Sequence, residues 1–254
     1  TSGFGTEWLA QLAHDQKERI FVLARNSAKF EQLRQRKSLG ENVHFIACDL
    51  ASLNSIETAI ETIKRQTKSI DLLVNNAGVY AGEKIEFSED QIEVTVAVNQ
   101  IAPYYLSGKL LPLLKKANTA QIVNTASFRH KDADLDKNDI ELRSKFDAEK
   151  ACCNSKLFSI LFTKKLANKL GDTNITVNCF DPGIVDTPML DVAFPKRFNL
   201  ILPFFRKYIA RDEKKAAETG VYLSRFPQRH KFSGEYFKDK RPVNISKVAQ
   251  DISL

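Results

Sequence analysis

Short runs of β-branched and aromatic residues recur along the 254-residue chain, separated by longer stretches whose apolar positions follow helical spacing. Runs of the first kind are typical of buried strands, and the second pattern is typical of helices that cover a sheet. Their alternation predicts an α/β fold with a mostly parallel sheet flanked by helices on both faces. The predicted strands are 19–25, 43–50, 71–78, 120–127, 174–183 and 233–238.

Small, polar and turn-forming residues collect where four of these strands end. The endings read CDL at 48–50, NNAG at 75–78, TAS at 125–127 and DPG at 181–183. Because ligands of open parallel sheets bind at the carboxyl ends of the strands, these endings indicate a nucleotide crevice. The fold class predicted is a Rossmann-like, doubly wound parallel sheet in a single domain, residues 1–254.

Composition agrees with one globular domain, since hydrophobic residues make up 43% and charged residues 27% of the chain. The formal net charge of +7 would suit phosphates, nucleic acid or an acidic membrane face. The lysines are scattered, however, so a solvated basic surface is the favoured interpretation and no nucleic-acid partner is predicted.

The four cysteines, Cys48, Cys152, Cys153 and Cys179, lack metal-ligand spacing and a secreted-scaffold pattern. They are interpreted as reduced thiols, which predicts a cytoplasmic protein and no metal site. No apolar run is long enough to cross a bilayer. The aromatic and aliphatic segment 194–208 could instead close over a substrate pocket, touch a membrane peripherally or pack in a homodimer.

The chain opens with TSGFG, in which Gly3, Phe4 and Gly5 precede a helical pattern. Glycines there would let backbone amides approach a pyrophosphate, although a plain turn before a helix is the alternative. Such a loop should follow a central strand, and none precedes it, so we expect about ten further residues ahead of Thr1. A second helix start is predicted at Ser88, where SEDQ resembles a capping box.

Arg25 stands about 20 residues after the glycines, where dinucleotide folds read the adenosine ribose. An acidic residue there would favour NAD(H), whereas a guanidinium suits a 2′-phosphate. The sequence therefore predicts NADP(H) as the cofactor, with NAD(H) as the alternative. The alternative interpretation of Arg25 is that it only ends a strand in solvent and binds no phosphate.

The order and spacing of these motifs resemble the short-chain dehydrogenase/reductase family over essentially the whole chain, closest to its retinol dehydrogenase-like members. The resemblance rests on TSGFG, CDL, LLVNNAG, VAVNQ, QIVNTAS, SKLFSILFTKKLANKL and DPGIVDTP. It implies hydride transfer between a nicotinamide dinucleotide and an alcohol or carbonyl compound. It also implies a cofactor site that comprises Asp49, Leu50, Asn76, Ala77, Gly78, Lys156, Pro182, Gly183, Ile184 and Thr187.

The resemblance further implies that Ser127 bonds the substrate carbonyl oxygen, that Lys156 holds the nicotinamide ribose and that Asn99 anchors a water. It breaks at Cys152, where the family carries the tyrosine that acts as general acid. Cysteine at this position can be acidified by Lys156 one helical turn away, but its sulfur falls roughly 3 to 4 Å short of a phenol oxygen on ordinary bond lengths. A bridging water could fill the gap at a lower rate.

Three functions stay open from the sequence. The first is an NADP(H)-dependent oxidoreductase of an apolar alcohol, aldehyde or ketone that is impaired by Cys152. The second is a non-catalytic NADP(H)-binding sensor or scaffold. The third, a thiol redox site at Cys152 and Cys153, is disfavoured because adjacent helical cysteines seldom form a relaxed disulfide.

Overall fold

The computed structural model of this protein describes residues 3–80, 82–186, 204, 206, 210–225 and 232–250. Within these residues strands and helices alternate as the sequence predicts. The strands are β1 (Ile20–Ala24), β2 (Val43–Ala47), β3 (Leu72–Asn75), β4 (Ala120–Thr125), β5 (Ile175–Asp181), β6 (Tyr236–Lys238) and β7 (Arg241–Pro242). The helices are α1 (Phe4–Ala13), α2 (Ser27–Lys37), α3 (Leu53–Gln66), α4 (Val94–Val96), α5 (Ala102–Leu114), α6 (Ala148–Lys169), α7 (Glu213–Arg225) and α8 (Lys247–Gln250), with a π-helical segment (Ala97–Ile101) and a 3₁₀ helix (Phe128–Asp132).

The described strands form two sheets. One contains β1 and β2, and the other runs in the order β3, β4, β5, β6, β7. Every pairing is parallel except the last, between β6 and β7. Among the described strands, β1 pairs only with β2 and β3 pairs only with β4. The residues of β1 and β3 are partly buried, whereas those of β5 are fully buried.

Helices cover both faces of the larger sheet, as alternate residues of β4 show. Ile122 packs with Leu114 of α5 and with α6, whereas Val123 packs with Trp8 of α1 and Leu223 of α7. This alternation follows from the period-two geometry of a strand and confirms the predicted parallel α/β fold with helices on both faces.

Helix α1 joins the two sheets on one face. Its Ala13 packs in the cluster of β1, β2 and α2, and its Trp8 packs under β4 and β5. On the opposite face, a cluster beneath α3 and α5 includes partly buried Phe21 from β1 and Leu73 from β3. The sheets therefore share cores above and below, while no described strand of one sheet pairs with a strand of the other.

The predicted helix start at Ser88 is wrong. The backbone amide of Ser88 bonds to the carbonyl of Ile92 at 2.8 Å, and Gln91 has a φ of 59°, so this segment is a turn. The helix begins instead at Val94, because the buried carboxylate of Glu93 accepts hydrogen bonds from the amides of Thr95 and Val96.

Candidate active site

The N-terminal end of α1 lies against the end of β3. Gly3 precedes the helix with a φ of 68°, and no side chain caps the first turn, so its amides point outward at the positive end of the helix dipole. A Cβ atom at Gly5 would lie 2.3 Å from Nδ2 of Asn76. Only glycine permits this close approach, and Asn76 in turn accepts a hydrogen bond from Oγ1 of Thr125 at the end of β4.

Arg25 and Asp49 mark the ends of the two strands in the smaller sheet. The Arg25 side chain is exposed and makes no hydrogen bond or ion pair within the described residues. Asp49 uses one carboxylate oxygen to accept from the amide of Ala51 at 2.9 Å, which leaves its second oxygen for another donor. Leu50 beside it packs against the cluster beneath α3.

Asn99 lies in the π-helical segment, an irregularity that is frequent at functional sites. Its side chain is fully engaged. Oδ1 accepts from the amide of Val79 at 2.8 Å, and Nδ2 donates to the carbonyl of Val79 at 3.0 Å and to Oγ of Ser155 at 3.2 Å. Asn99 thus connects the loop after β3 to helix α6. Because its side-chain atoms are all bonded, a water held by Asn99 would have to bind the backbone carbonyl of Asn99.

Lys156 and Cys152 lie one turn apart on α6, and both are partly buried. A Cβ atom at Gly78 would lie 3.7 Å from Nζ of Lys156 and 3.4 Å from Oδ1 of Asn99, so the backbone of the loop passes beside the amine. Nζ of Lys156 makes no hydrogen bond to any described residue, which leaves its donors available to a ligand.

Burial has the largest effect on the pKa values of both Cys152 and Lys156. Burial raises the pKa of the Cys152 thiol, and the charges of Lys156 and Arg129 oppose this less strongly. The expectation that Lys156 would leave the thiol more acidic than usual is therefore wrong. Burial also lowers the pKa of Lys156 below its ordinary value. Burial therefore works against proton release from Cys152, in addition to the shorter reach of its sulfur.

Ser127 lies two residues after β4 and is the N-cap of the 3₁₀ helix. Its Oγ accepts a hydrogen bond from the amide of Arg129 at 3.3 Å, and its carbonyl lies 2.7 Å from Nδ1 of buried His130. The guanidinium of Arg129 then reaches α6, where it contacts Sγ of Cys153 at 3.3 Å and pairs with Glu149. These contacts hold the segment after Ser127 against the first turns of α6.

The loop after β5 contains Pro182, Gly183 and Ile184. Gly183 has a φ of 82°, and its amide donates to Oδ1 of Asp181 at 2.9 Å. Arg211 fixes the far side of the loop, because its backbone amide donates to the carbonyl of Ile184 at 2.7 Å. Thr187, predicted to contact the carboxamide, lies outside the described residues.

The structure therefore brings together the predicted residues of α1, β3 and α6, namely Gly5, Asn76, Gly78, Asn99 and Lys156. Sequence reasoning missed Arg129 and Arg211, which fix Ser127 and the loop after β5. Neither belongs to a motif, and Arg211 lies far from its loop along the chain, so no local signal indicates it. All four cysteines are free thiols, as predicted.

These residues fit a nicotinamide dinucleotide. The uncapped amides at α1 suit a pyrophosphate, the unpaired guanidinium of Arg25 and the carboxylate of Asp49 suit the adenosine end, and the unpaired amine of Lys156 suits the nicotinamide ribose. Within the described residues, no group of three or more acidic, histidine or cysteine side chains could hold a metal ion.

The chain matches the sequence profile of the family described as short chain dehydrogenase over residues 1–137 and 141–197. It is 32% identical to human retinol dehydrogenase 14 over 212 residues, which are 81% of this chain and 61% of that protein. It is 26% identical to human polyprenol dehydrogenase over 92% of this chain and 73% of that protein. The chain thus spans less than two thirds of the length of the retinol dehydrogenase 14 sequences that it matches.

Solved structures share the fold. A short chain dehydrogenase from Burkholderia cenocepacia in complex with NADP superposes with a TM-score of 0.71 at 22% identity, over 93% of this chain and 91% of that one. A 3-ketoacyl-(acyl-carrier-protein) reductase from Brucella melitensis complexed with NADH gives 0.68 at 24% identity, with the same coverage. Together with the profile match and the retinol dehydrogenase relatives, the parallel fold shows that the chain belongs to the short-chain dehydrogenase/reductase family.

Proposed function

We propose that this chain is an NADP(H)-dependent oxidoreductase that interconverts an apolar alcohol and its aldehyde or ketone, with turnover limited by Cys152. The observation that carries the proposal is the amine of Lys156, whose Nζ lies beside the backbone of Gly78 in the loop that Asn99 holds against α6. A partly buried amine with a lowered pKa and no partner among the described residues is typical of a functional site.

Lys156, Ser127 and Asn99 would each have a different role in the reaction. When bound, the reduced dinucleotide would supply hydride to the carbonyl carbon. Lys156 would donate hydrogen bonds to the nicotinamide ribose, and Oγ of Ser127 would donate to the carbonyl oxygen and orient it. Asn99 holds the loop of Gly78 in place, so that this loop would form a rigid side of the nicotinamide site.

Preference for NADP(H) follows from Arg25. Its exposed, unpaired guanidinium at the end of β1 suits a 2′-phosphate, to which it can donate two parallel hydrogen bonds. Fluorescence titration should show tighter binding of NADPH than of NADH, and Arg25→Ala should weaken the binding of NADPH alone by roughly 10- to 150-fold, since one charge-assisted contact is worth roughly 1.5–3 kcal/mol. Arg36→Ala, an exposed arginine on α2, is the matched control. Equal affinities of the wild-type chain for the two coenzymes would contradict the assignment.

An apolar substrate is supported by two observations. The curated relatives include proteins named for retinol and for polyprenol, both apolar alcohols. Segment 194–208, predicted to form an apolar lid, lies outside the described residues except for Phe204 and Arg206, and Phe204 is 63% exposed. Oxidation of NADPH should therefore be faster with long-chain aldehydes and ketones than with short polar carbonyls. No NADPH oxidation above the buffer rate with any carbonyl would refute the proposed activity.

Cys152 itself favours a second candidate, a non-catalytic NADP(H)-binding sensor or scaffold. That candidate requires NADPH to bind at micromolar concentration with no turnover in the wild-type chain and none after Cys152→Tyr. A gain of reduction in Cys152→Tyr would show instead that the substrate site is intact and lacks only its acid.

Location and assembly belong to the same proposal. Among the described residues, no helix is both long and apolar enough to cross a membrane. A cytoplasmic protein with peripheral membrane contact through segment 194–208, and a homodimer, stay predictions. Vesicle flotation and analytical ultracentrifugation test them.

A further inference from the structure

His130 is a buried titratable residue that the proposed reaction does not use. It is 1% exposed, whereas His14 is exposed and His44 is only partly buried. It lies in the 3₁₀ helix, three residues after Ser127. Burying an imidazole costs free energy unless its polar atoms find partners, so the partners of this ring are of interest.

Both ring nitrogens of His130 meet backbone groups. Nδ1 lies 2.7 Å from the carbonyl oxygen of Ser127, and Nε2 lies 3.2 Å from the amide nitrogen of Ser246. A carbonyl can only accept a hydrogen bond and an amide N–H can only donate one, so Nδ1 must carry the proton and Nε2 must be bare. The ring is therefore neutral in this arrangement. An imidazolium has a proton on both nitrogens and could not keep the bond to Ser246.

The first of these bonds fixes the backbone at Ser127. The carbonyl of Ser127 accepts from Nδ1 of His130 and also from the backbone amide of His130 at 3.2 Å. Oγ of Ser127 accepts from the amide of Arg129 at 3.3 Å, which leaves the hydroxyl proton for a ligand. Because the backbone of Ser127 sets the direction of its side chain, the position of this hydroxyl depends on His130.

The second bond holds the C-terminal segment, residues 244–250. Oγ of Ser246 accepts from the amide of Ala249 at 3.4 Å, and Ala249 is fully buried in the cluster that includes Ala126. In the part of the chain that the structure describes, the bond from Ser246 to His130 is the one hydrogen bond between this segment and the rest. His130 therefore connects the end of β4 to the C-terminal segment.

The surroundings of the ring also disfavour its charged form. Burial lowers the pKa of His130, and the hydrogen bond to Ser127 opposes this less strongly. The ring packs edge-on against Tyr236, with centroids 5.2 Å apart. The charged or titratable groups on the elements around the ring are Lys131 and Asp132 of the 3₁₀ helix, Asp181 of β5, Tyr236 and Lys238 of β6, Lys247 of α8, and Glu149 and Cys153 of α6, which are bonded to Arg129.

We propose that neutral His130 is a positioning residue, which holds Ser127 in the orientation that binds the carbonyl oxygen and couples that orientation to the docked C-terminal segment. This inference rests on the proposed oxidoreductase function. Protonation of the ring breaks the bond to Ser246, so in acid the site loses the support of the C-terminal segment.

The first test compares variants of His130 in NADPH oxidation with carbonyl substrates. His130→Leu removes both bonds and should lower kcat about tenfold or more, since a misplacement of about 1 Å can cost about 10²-fold. His130→Asn keeps a donor near the position of Nδ1 and should regain at least about threefold of this loss. The Kd of NADPH should stay within about twofold in both variants, because neither bond involves a coenzyme-binding residue. His14→Asn, at an exposed histidine, is the matched control and should leave kcat unchanged.

Three results of this comparison would overturn the proposal. They are a wild-type kcat in His130→Leu, equal losses in His130→Leu and His130→Asn, and a loss of NADPH binding as large as the loss of kcat. The last two are expected if the ring only fills space in the core.

The second test is the pH dependence. Because the pKa of His130 is lowered, the unfolded chain takes up a proton at this residue at a pH where the folded chain does not. The stability that the neutral ring contributes is therefore fully present above about 6.5 and falls as the pH drops from there to the lowered value. The ratio of kcat in the wild-type chain to kcat in His130→Asn should be constant at neutral pH and fall in acid, because asparagine does not titrate. A ratio independent of pH would refute the coupling.

The third test needs neither coenzyme nor a variant. Long-range proton–nitrogen NMR spectra distinguish the two ring tautomers, and His130 should carry its proton on Nδ1 at neutral pH. The amide of Ser246 should lose protection from hydrogen exchange once the ring is protonated. A proton on Nε2 at neutral pH would exclude the bond from Ser246 and overturn the proposal, even if His130→Leu does not fold.

The outcomes separate this inference from the function on which it rests. If the wild-type chain reduces a carbonyl and His130→Leu retains its kcat, the role of His130 is refuted and the proposed function stands. If only Cys152→Tyr is active, the His130 variants are compared in that background with the same expected losses. If neither chain reduces any carbonyl, both proposals fail.

Discussion

Substituting Gly183 by alanine tests how the loop after β5 is held in place. At a φ of 82° an L-residue adopts a left-handed conformation that costs roughly 1–2 kcal/mol. The new Cβ would also lie 2.8 Å from Nε and 2.9 Å from Cδ of Arg211. That side chain cannot move aside freely, because its guanidinium donates to both carboxylate oxygens of Asp239 at 2.6 and 3.2 Å.

The expected penalty is the sum of these two effects. Overpacking of this kind costs about 1–3 kcal/mol, which together with the backbone strain predicts a loss of about 2–5 kcal/mol in the free energy of unfolding. Urea unfolding followed by circular dichroism measures that loss. NADPH titration of the folded variant measures the companion effect on the coenzyme, which should weaken because the loop is displaced.

Arg211→Ala provides the matched background. It removes the steric contact but not the backbone strain, so Gly183→Ala should become less costly in that background by about 1 kcal/mol or more. Additivity of the two substitutions within about 0.5 kcal/mol would refute the steric contact with Arg211 as a cause of the penalty.

Three further predictions follow from contacts already described. Gly5→Ala should weaken NADPH binding by more than tenfold in a fluorescence titration, because its Cβ would meet Asn76 at 2.3 Å and push α1 away from β3; Gly82→Ala, where a Cβ meets nothing within 4 Å, should be neutral. Backbone amides of α2, which buries only Phe30 and Leu33, should exchange with deuterium faster than those of β5, whose residues are all buried; equal protection would contradict this difference in burial. Burial lowers the pKa of Lys156, so the unfolded chain binds more protons than the folded one between that lowered value and about 10.4, and stability from this group rises with pH through that window. Urea unfolding of Lys156→Met over the same pH series should lack this rise; an unchanged slope would assign it to other groups.

The sequence predicted the strands well because their signal is local. Each predicted strand is present, and the polar endings at 48–50, 75–78, 125–127 and 181–183 do follow β2, β3, β4 and β5. A run of β-branched and aromatic residues between turn formers needs no knowledge of its partner.

Features that depend on distant partners were not predictable in this way. The residues at Ser88 match a capping pattern, but the helix begins at Val94, where the buried carboxylate of Glu93 caps it. The acidity of Cys152 was misjudged because Lys156 is visible four residues away, whereas the burial that outweighs it comes from the whole fold. The role of Arg211 depends on two segments that meet only in three dimensions.

Helix α1 would pass the stabilising effect of a bound dinucleotide to both sheets. No side chain caps its first turn, its Trp8 packs under β4 and β5, and its Ala13 packs with β1, β2 and α2. A coenzyme bound to the amides of this turn would therefore stabilise both clusters, and saturation with coenzyme should raise the melting temperature of the chain.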